Sequence, residues 1–244
     1  MPQFCSIAFG RSVWLVLSNR FLHSLAVAAL SSEKSGPSVL VCFAVKEEAK
    51  FFVADGCWHI ITGMGVRNAS KGTVEALSKN KPALVLTTGF AGGLNPKLKV
   101  GDVVFEEDAG AGLRSELIRL NAIPVQFHCA DKVAVTAADK QALWKSTGAD
   151  AVEMESSAIR QICCERGIPS ATIRVISDAA VEDLPLDFNA LMTPDDKIDF
   201  AKLALKLVCG PQKIPQLIRF QKQTSSAARN LAEVLQKLLA ARRS

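Results

Sequence analysis

Val39-Leu40-Val41-Cys42-Phe43-Ala44-Val45 is the stretch that decides the fold. It is apolar without alternation and carries β-branched residues, which reads as a strand covered on both faces. Lys46-Glu47-Glu48-Ala49-Lys50 then opens a short helix. The same succession recurs downstream. Residues 59–62 form a second strand ending in Gly63-Met64-Gly65, and residues 68–78 are helical. Residues 83–88 form a third strand ending in Gly89-Phe90-Ala91-Gly92-Gly93, and residues 103–105 are a further strand candidate. A helix is expected over 136–145, with Thr136 as its N-cap and Asp139 three residues later. Another spans 153–166, closed by Gly167 and Pro169. Residues 171–176 are a strand running into Ser177-Asp178. Two helices end the chain, over 195–209 and 225–240, the second with Leu231, Leu235, Leu238 and Leu239 at helical spacing. Buried strands alternating with helices predict an α/β fold around one central sheet. There is no internal repeat and no second domain in the pattern.

Composition narrows the class. With 49% apolar and 22% charged residues, the 244-residue chain is a globular protein with a substantial core rather than a disordered one. Of the net charge of +5, the C-terminal residues 211–244 account for more than all, holding seven basic residues against Glu233 alone. That reads as a solvated helical tail. A nucleic-acid protein would interleave aromatics on a basic face, so no nucleic-acid partner is expected. The seven cysteines are scattered, and adjacent Cys163-Cys164 lacks zinc-site spacing. Reduced thiols in a cytoplasmic protein are the expectation. His23, His59 and His128 make no ligand pattern, so no metal is implied.

Residues 1–37 read as an N-terminal extension of uncertain role, with residues 38–244 as the domain. The apolar part of the extension is broken by Arg20 and His23, too early for a spanning helix, so no stable membrane insertion is expected. A misplaced start, a weak signal and a membrane-surface helix remain open readings. Ser31-Ser32-Glu33-Lys34-Ser35-Gly36-Pro37 reads as a linker.

The chemistry gathers where strands end. Glycines there let backbone N–H groups approach a ligand, although neither Gly63-Met64-Gly65 nor 89–93 is a nucleotide fingerprint. Ala151-Val152-Glu153-Met154-Glu155-Ser156-Ser157-Ala158-Ile159 places two acids around a methionine at a strand-to-helix junction. One acid there is explained by the helix dipole. Two with a methionine between suit a sugar, since a carboxylate accepts hydroxyl hydrogen bonds while a thioether covers the ring face. Asp178 and Glu48, taken singly, are ordinary caps or first-turn acids.

Taken together these segments resemble the superfamily of purine nucleoside phosphorylases and methylthioadenosine/S-adenosylhomocysteine nucleosidases, including its hopanoid-associated phosphorylase-like members. The likeness runs from about Val39 to the C-terminus. It rests on Ala44-Val45-Lys46-Glu47-Glu48, on Thr88 with 89–93 and Leu94, on Lys99-Val100-Gly101-Asp102-Val103-Val104, on 151–159, and on Arg174-Val175-Ile176-Ser177-Asp178-Ala179. It implies a single-domain nucleoside phosphorylase-like fold, a central mixed sheet flanked by helices. It implies cleavage of the N-glycosidic bond of a purine-type nucleoside, without a cofactor and in a homo-oligomer. Under the resemblance Glu155 holds ribose hydroxyls, Met154 packs on the sugar, and Glu153 joins them at the substrate. Asp178 protonates or hydrogen-bonds the departing base, Glu48 activates the attacking water, and Arg174 organises the water side. Ala91 and Gly92 supply backbone near sugar and base. An Asp serving as acid must keep its proton near neutral pH, which burial at the end of an apolar strand favours.

Two departures bear on the acceptor and the base. Family members often carry Ser where this chain has Phe90, and hexameric phosphorylases carry Arg shortly before it, where this chain has Thr87-Thr88. Losing both tilts the reading to hydrolysis. Arg67 and Gly65, beside the first glycine turn, are a possible alternative phosphate site, which leaves phosphorolysis open. A non-catalytic binder on the same fold is the third reading. Nucleosidases of the family place a Phe where this chain has Val133, and Phe90 is a candidate replacement for the lost stacking surface.

Overall fold

The computed structural model describes residues 39–53, 55–196 and 198–242. The extension over 1–37 lies outside the described residues. The strands are β1 (Val39–Phe43), β2 (Cys57–Ile61), β3 (Leu84–Gly93), β4 (Val103–Glu107), β5 (Ile123–Pro124), β6 (Phe127–Cys129), β7 (Ala151–Glu153) and β8 (Ser170–Asp178). The helices are α1 (Lys46–Ala49), α2 (Gly65–Lys79), α3 (Arg114–Arg119), α4 (Ala137–Thr147), α5 (Ser156–Glu165), α6 (Phe200–Cys209) and α7 (Ile214–Ala241).

The strands form one mixed sheet in the order β2-β1-β3-β8-β4-β5, with β7 on β3 and β6 on β7. The run from β2 to β8 is parallel, while β4 lies antiparallel to β8 and β7 antiparallel to β3. The expected α/β architecture with a central mixed sheet is therefore the one found. Strand β1 shows why its sequence does not alternate. Val39, Val41 and Phe43 join the core beneath α7, with Leu231, Leu235, Leu238 and Leu239. Leu40 and Cys42 point the other way, to Ala69 and Leu77 of α2 and Ile159 and Cys163 of α5. Successive side chains of a strand face opposite sides, so a strand roofed twice must be apolar throughout.

Thr136 caps α4 as its sequence indicates: its Oγ1 accepts from the Asp139 N–H at 3.0 Å, and Asp139 Oδ2 accepts from the Thr136 N–H at 3.0 Å. Four of the boundaries that differ from the expected ones bear on the architecture. The 89–93 segment is not a turn: β3 continues through it to Gly93, because β8 and β7 pair with it on either side. Helix α5 starts at Ser156, since Glu153 still belongs to β7. Helix α6 starts at Phe200, where Asp199 Oδ1 accepts from the N–H groups of Ala201 (3.0 Å) and Lys202 (3.1 Å). The last helix begins at Ile214 rather than 225, with Pro215 in its first turn, where a missing N–H costs nothing. Its first half is mostly exposed, so apolar spacing marked only the half that packs on the sheet.

Candidate active site

Strands β3 and β8 run side by side with Gly89 beside Arg174, and a register shift after Ala91 brings Gly92 beside Asp178. On its other edge Gly92 pairs with Val152 of β7. These two pairings carry the 90–92, 152–155 and 177–178 segments to one pocket, which α1, the 132–134 segment, Phe188 and Phe220 also line. Of the residues singled out in the sequence, Glu48, Phe90, Ala91, Gly92, Val133, Glu153, Met154, Glu155 and Asp178 all border it.

Glu48 is buried, and among the described residues backbone N–H groups hold its carboxylate. Oε2 accepts from the N–H groups of Ala44 (2.8 Å) and Val45 (3.1 Å), and Oε1 from that of Phe90 (2.8 Å). Only glycine fits beside it: a Cβ on Gly89, whose φ is +139°, would lie 2.3 Å from Glu48 Oε1. Burial pushes the Glu48 carboxyl up to about 7, with Glu155 adding to the rise and Arg174 and the N–H donors opposing it. A carboxylate poised there suits a general base at neutral pH.

Arg174 is fully buried behind the pocket and is the counter-ion of the Glu-Met-Glu run. Its Nη2 donates to Glu153 Oε2 (2.5 Å), to Glu155 Oε2 (3.2 Å) and to Thr87 Oγ1 (3.2 Å), and Nη1 donates to the Thr88 carbonyl (3.0 Å). The two acids divide the work. Glu153 has both oxygens engaged by protein: Oε1 accepts from Ser156 Oγ (2.6 Å), and Oε2 also accepts from the Glu155 (3.0 Å) and Ser156 (2.8 Å) N–H groups. Burial raises the Glu153 carboxyl, but Arg174 and these donors outweigh it and hold it below the usual range. It therefore binds the start of α5 while it also borders the pocket. Glu155 keeps a looser shell: Oε1 accepts from the Gly65 N–H at 3.0 Å, at the start of α2. Burial holds its carboxyl above the usual range despite Arg174.

Asp178 lies at the end of β8, as expected, but in surroundings the sequence did not disclose. Lys140 of α4, fully buried, places its Nζ 2.5 Å from Asp178 Oδ2. Ser177 Oγ donates to Oδ1 at 2.6 Å. Lys140 escaped notice because it reads as an ordinary exposed helix lysine. Its partners lie 38 to 42 positions away, at Asp178, Ala179 and Glu182, and leave no local signal.

The aromatic wall was also missed. Phe188 and Phe220 border the pocket, their ring centroids 6.0 Å apart and their planes tilted by 39°. Asn189 fixes the segment opposite in sequence by a reciprocal pair: the Val133 N–H donates to its Oδ1 and its Nδ2 donates to the Val133 carbonyl, each at 2.9 Å. Phe90 borders the pocket too, so three rings line it where the sequence singled out one.

Arg67 and Gly65 are not brought together as an anion site. The Gly65 N–H is used by Glu155. Arg67 does not line the pocket; its exposed guanidinium bonds the Pro194 carbonyl and faces Asp195 (3.7 Å) and Asp196 (3.9 Å).

A family model described as the phosphorylase superfamily matches residues 54–117 and 111–210. The 5'-methylthioadenosine/S-adenosylhomocysteine nucleosidase of Geobacillus kaustophilus (strain HTA426) is 29% identical over 167 residues, 54% of this chain and 70% of that protein. The enzyme of the same name from Staphylococcus aureus (strain bovine RF122 / ET3-1) is 27% identical over 164 residues, 54% of this chain and 72% of that one. Among solved structures, futalosine hydrolase of Helicobacter pylori strain 26695 superposes with a TM-score of 0.59 at 16% identity, covering 83% of this chain and 97% of that one. The Neisseria meningitidis 5'-methylthioadenosine/S-adenosylhomocysteine nucleosidase, in complex with methylthio-immucillin-A, gives 0.58 at 22% identity, covering 84% and 99%. The structural likenesses speak for the fold.

Proposed function

The chain belongs to the phosphorylase superfamily, and from that premise we propose that it hydrolyses the N-glycosidic bond of a purine-type nucleoside, with methylthioadenosine and S-adenosylhomocysteine as the first substrates to try. The observation that carries hydrolysis over phosphorolysis is the shortage of uncommitted cations for a phosphate. Among the described residues Lys132 is the one basic residue bordering the pocket, while Arg174 and Lys140 behind its wall are paired with Glu153, Glu155 and Asp178. A phosphate dianion finds little there to balance its charge, whereas water needs no counter-ion. The relatives named above are nucleosidases, which supports the same choice.

In this reading water sits against Glu48, which takes its proton as the oxygen attacks C1' of the sugar. The electron pair of the glycosidic bond leaves with the base. The sugar gains positive charge on the way, and the acidic wall stabilises that oxocarbenium-like state. Glu155 accepts hydrogen bonds from ribose hydroxyls while Met154 covers the sugar face. Arg174 fixes Glu155 and the water side through the Thr88 carbonyl. Ala91 and Gly92 bring backbone close to sugar and base. Phe90, Phe188 and Phe220 enclose the ligand, with Val133 on the wall beside the base. Asp178 protonates or hydrogen-bonds the departing base at its N7 edge, so that the base leaves neutral, and the proton Glu48 takes from water is returned through solvent. The free thiols of Cys42, Cys129, Cys163 and Cys164 suit a reducing, cytoplasmic setting. Exposed apolar side chains support self-association.

The test is a panel of nucleosides incubated with and without phosphate, with products identified by mass. Free base plus free sugar, independent of phosphate, is expected. A sugar 1-phosphate would replace hydrolysis by phosphorolysis, and binding without release of base would remove the enzymatic reading.

A further inference from the structure

Helix α6 turns an apolar face outward. Ala201, Ala204, Leu205 and Val208 recur at helical spacing and are all exposed, Leu205 to 64% and Val208 to 79%. A surface helix ordinarily turns its apolar stripe to the core and its polar residues to water. The main contacts of α6 are the single turns at Asn189–Leu191 and Pro211–Lys213 rather than the sheet, which leaves this stripe uncovered. The first turns of α7 continue the pattern, with Ile214 and Ile218 also exposed.

Charge follows the same stretch. Residues 200–222 hold five basic residues, Lys202, Lys206, Lys213, Arg219 and Lys222, and no acid. Lys202 and Lys206, one helical turn apart, flank the stripe on α6. Among the described residues, Lys202 faces Asp199 at 3.8 Å, while Lys206, Lys213, Arg219 and Lys222 form no ion pair. Lys213 and Arg219 share a cavity with Glu182 and Asp183, which Lys202, Lys206 and Lys222 do not line. Part of the basic excess that reads in the sequence as a solvated tail thus borders an uncovered apolar stripe.

We propose that α6 and the first turns of α7 form a docking face for an anionic lipid bilayer, on which the protein lies as a peripheral protein. Exposed aliphatic side chains flanked by lysines are the make-up of an interfacial amphipathic helix. The stripe enters the boundary between headgroups and acyl chains, and the ammonium groups meet the lipid phosphates. No helix among the described residues is long and apolar enough to cross a membrane, so the face lies on the bilayer. Two other occupants fit less well. Nucleic acid answers to cations interleaved with aromatic rings, whereas the exposed apolar side chains among these cations are aliphatic. A second copy paired through the same face sets lysine against lysine.

The test is co-sedimentation of the full chain with vesicles of phosphatidylcholine alone and of phosphatidylcholine with about one third phosphatidylglycerol. Binding to the anionic vesicles is expected to be at least about tenfold tighter, and to weaken as salt rises from about 0.05 to 0.5 M. Lys202→Gln with Lys206→Gln is expected to lower the partition coefficient about tenfold or more. Leu205→Ser with Val208→Ser, which leaves the charge unchanged, is expected to lower it by a similar factor. All four side chains are exposed, so the unfolding temperature should stay within about 2 °C of wild type. In the wild type, amide hydrogen exchange over 200–219 is expected to slow on anionic vesicles, which locates the contact even if a variant does not fold. A protein that stays in solution with anionic vesicles overturns the proposal. So does binding that neither pair of substitutions weakens, or exchange that slows elsewhere and not over 200–219. Loss of binding in the lysine pair alone also overturns it, since charge without apolar insertion is what any polyanion, RNA included, requires. An oligomer that Leu205→Ser with Val208→Ser dissociates, in protein that binds no vesicles, gives the face to a second copy instead. None of these readouts depends on turnover, so a failure of the nucleosidase reading leaves them standing.

Discussion

Gly89 and Glu48 are in contact so close that any side chain at residue 89 would occupy the carboxylate's place: its Cβ would lie 2.3 Å from Glu48 Oε1 and 2.5 Å from Cδ. The glycine is required twice over, since its φ of +139° is one that L side chains rarely adopt. Gly89→Ala is therefore expected to displace Glu48 from the three N–H groups that hold it. Stability should fall by about 2–4 kcal/mol in urea unfolding, and kcat by roughly a hundredfold or more. Near-normal turnover in the variant would detach Glu48 from the chemistry.

The Glu48 carboxyl, pushed up to about 7, predicts two pH effects of opposite use. As a base it must be ionised, so kcat/KM is expected to rise with pH and level off above about 7. Stability runs the other way. The folded state binds this proton up to about 7, the unfolded state only to about 4.5. The folded state thus holds more protons in between, and Glu48's contribution, full below 4.5, is lost as pH rises through 7. Glu48→Gln should flatten that decline by on the order of 1–3 kcal/mol between pH 5 and 8 and lower kcat by about 10²-fold or more. Denaturation at several pH values and the pH–rate profile check both.

Arg174 and the Glu-Met-Glu run predict a separation of stability from activity. Arg174→Met leaves Glu153 and Glu155 buried without their cation, and is expected to cost about 3–5 kcal/mol. Glu155→Gln removes a carboxylate that the wild type must keep out of water, so stability should change by less than about 1 kcal/mol while kcat/KM falls steeply. Thermal unfolding and kinetics on the two variants distinguish the roles. Comparable stability losses would mean that Glu155 is, like Glu153, a structural hub.

The parts of this site that were legible in the sequence are those carried by local order. Strand ends, the acid-methionine-acid junction and the Ser177-Asp178 terminus each have a pattern within a few residues, and the pocket draws on all of them. Residues that act across the fold left no local trace. Lys140 reaches Asp178 over 38 positions, and Asn189 clamps Val133 over 56. The continuation of β3 through 89–93 was hidden for a related reason. Glycine spacing marks a turn when the chain is alone, but neighbours on both edges turn the same residues into strand.

Phe188 and Phe220 give the last prediction, because they line the same pocket as Val133, which carries no ring. Both rings border the pocket and pack on each other, centroids 6.0 Å apart and tilted, which offers a flat ligand an apolar aromatic wall on one side. Their contribution is to binding rather than to bond cleavage, since neither carries a group that handles a proton. Phe188→Ala is therefore expected to raise KM by about 10- to 100-fold with kcat within a few-fold of wild type, a loss of roughly 1–3 kcal/mol of binding. Phe220→Ala should do the same more weakly, because its helix backbone remains in place. Phe188→Leu, which keeps apolar area but not the ring, should recover part of the loss. A fall in kcat with unchanged KM would show instead that the ring acts only in the transition state, by excluding water from the departing base.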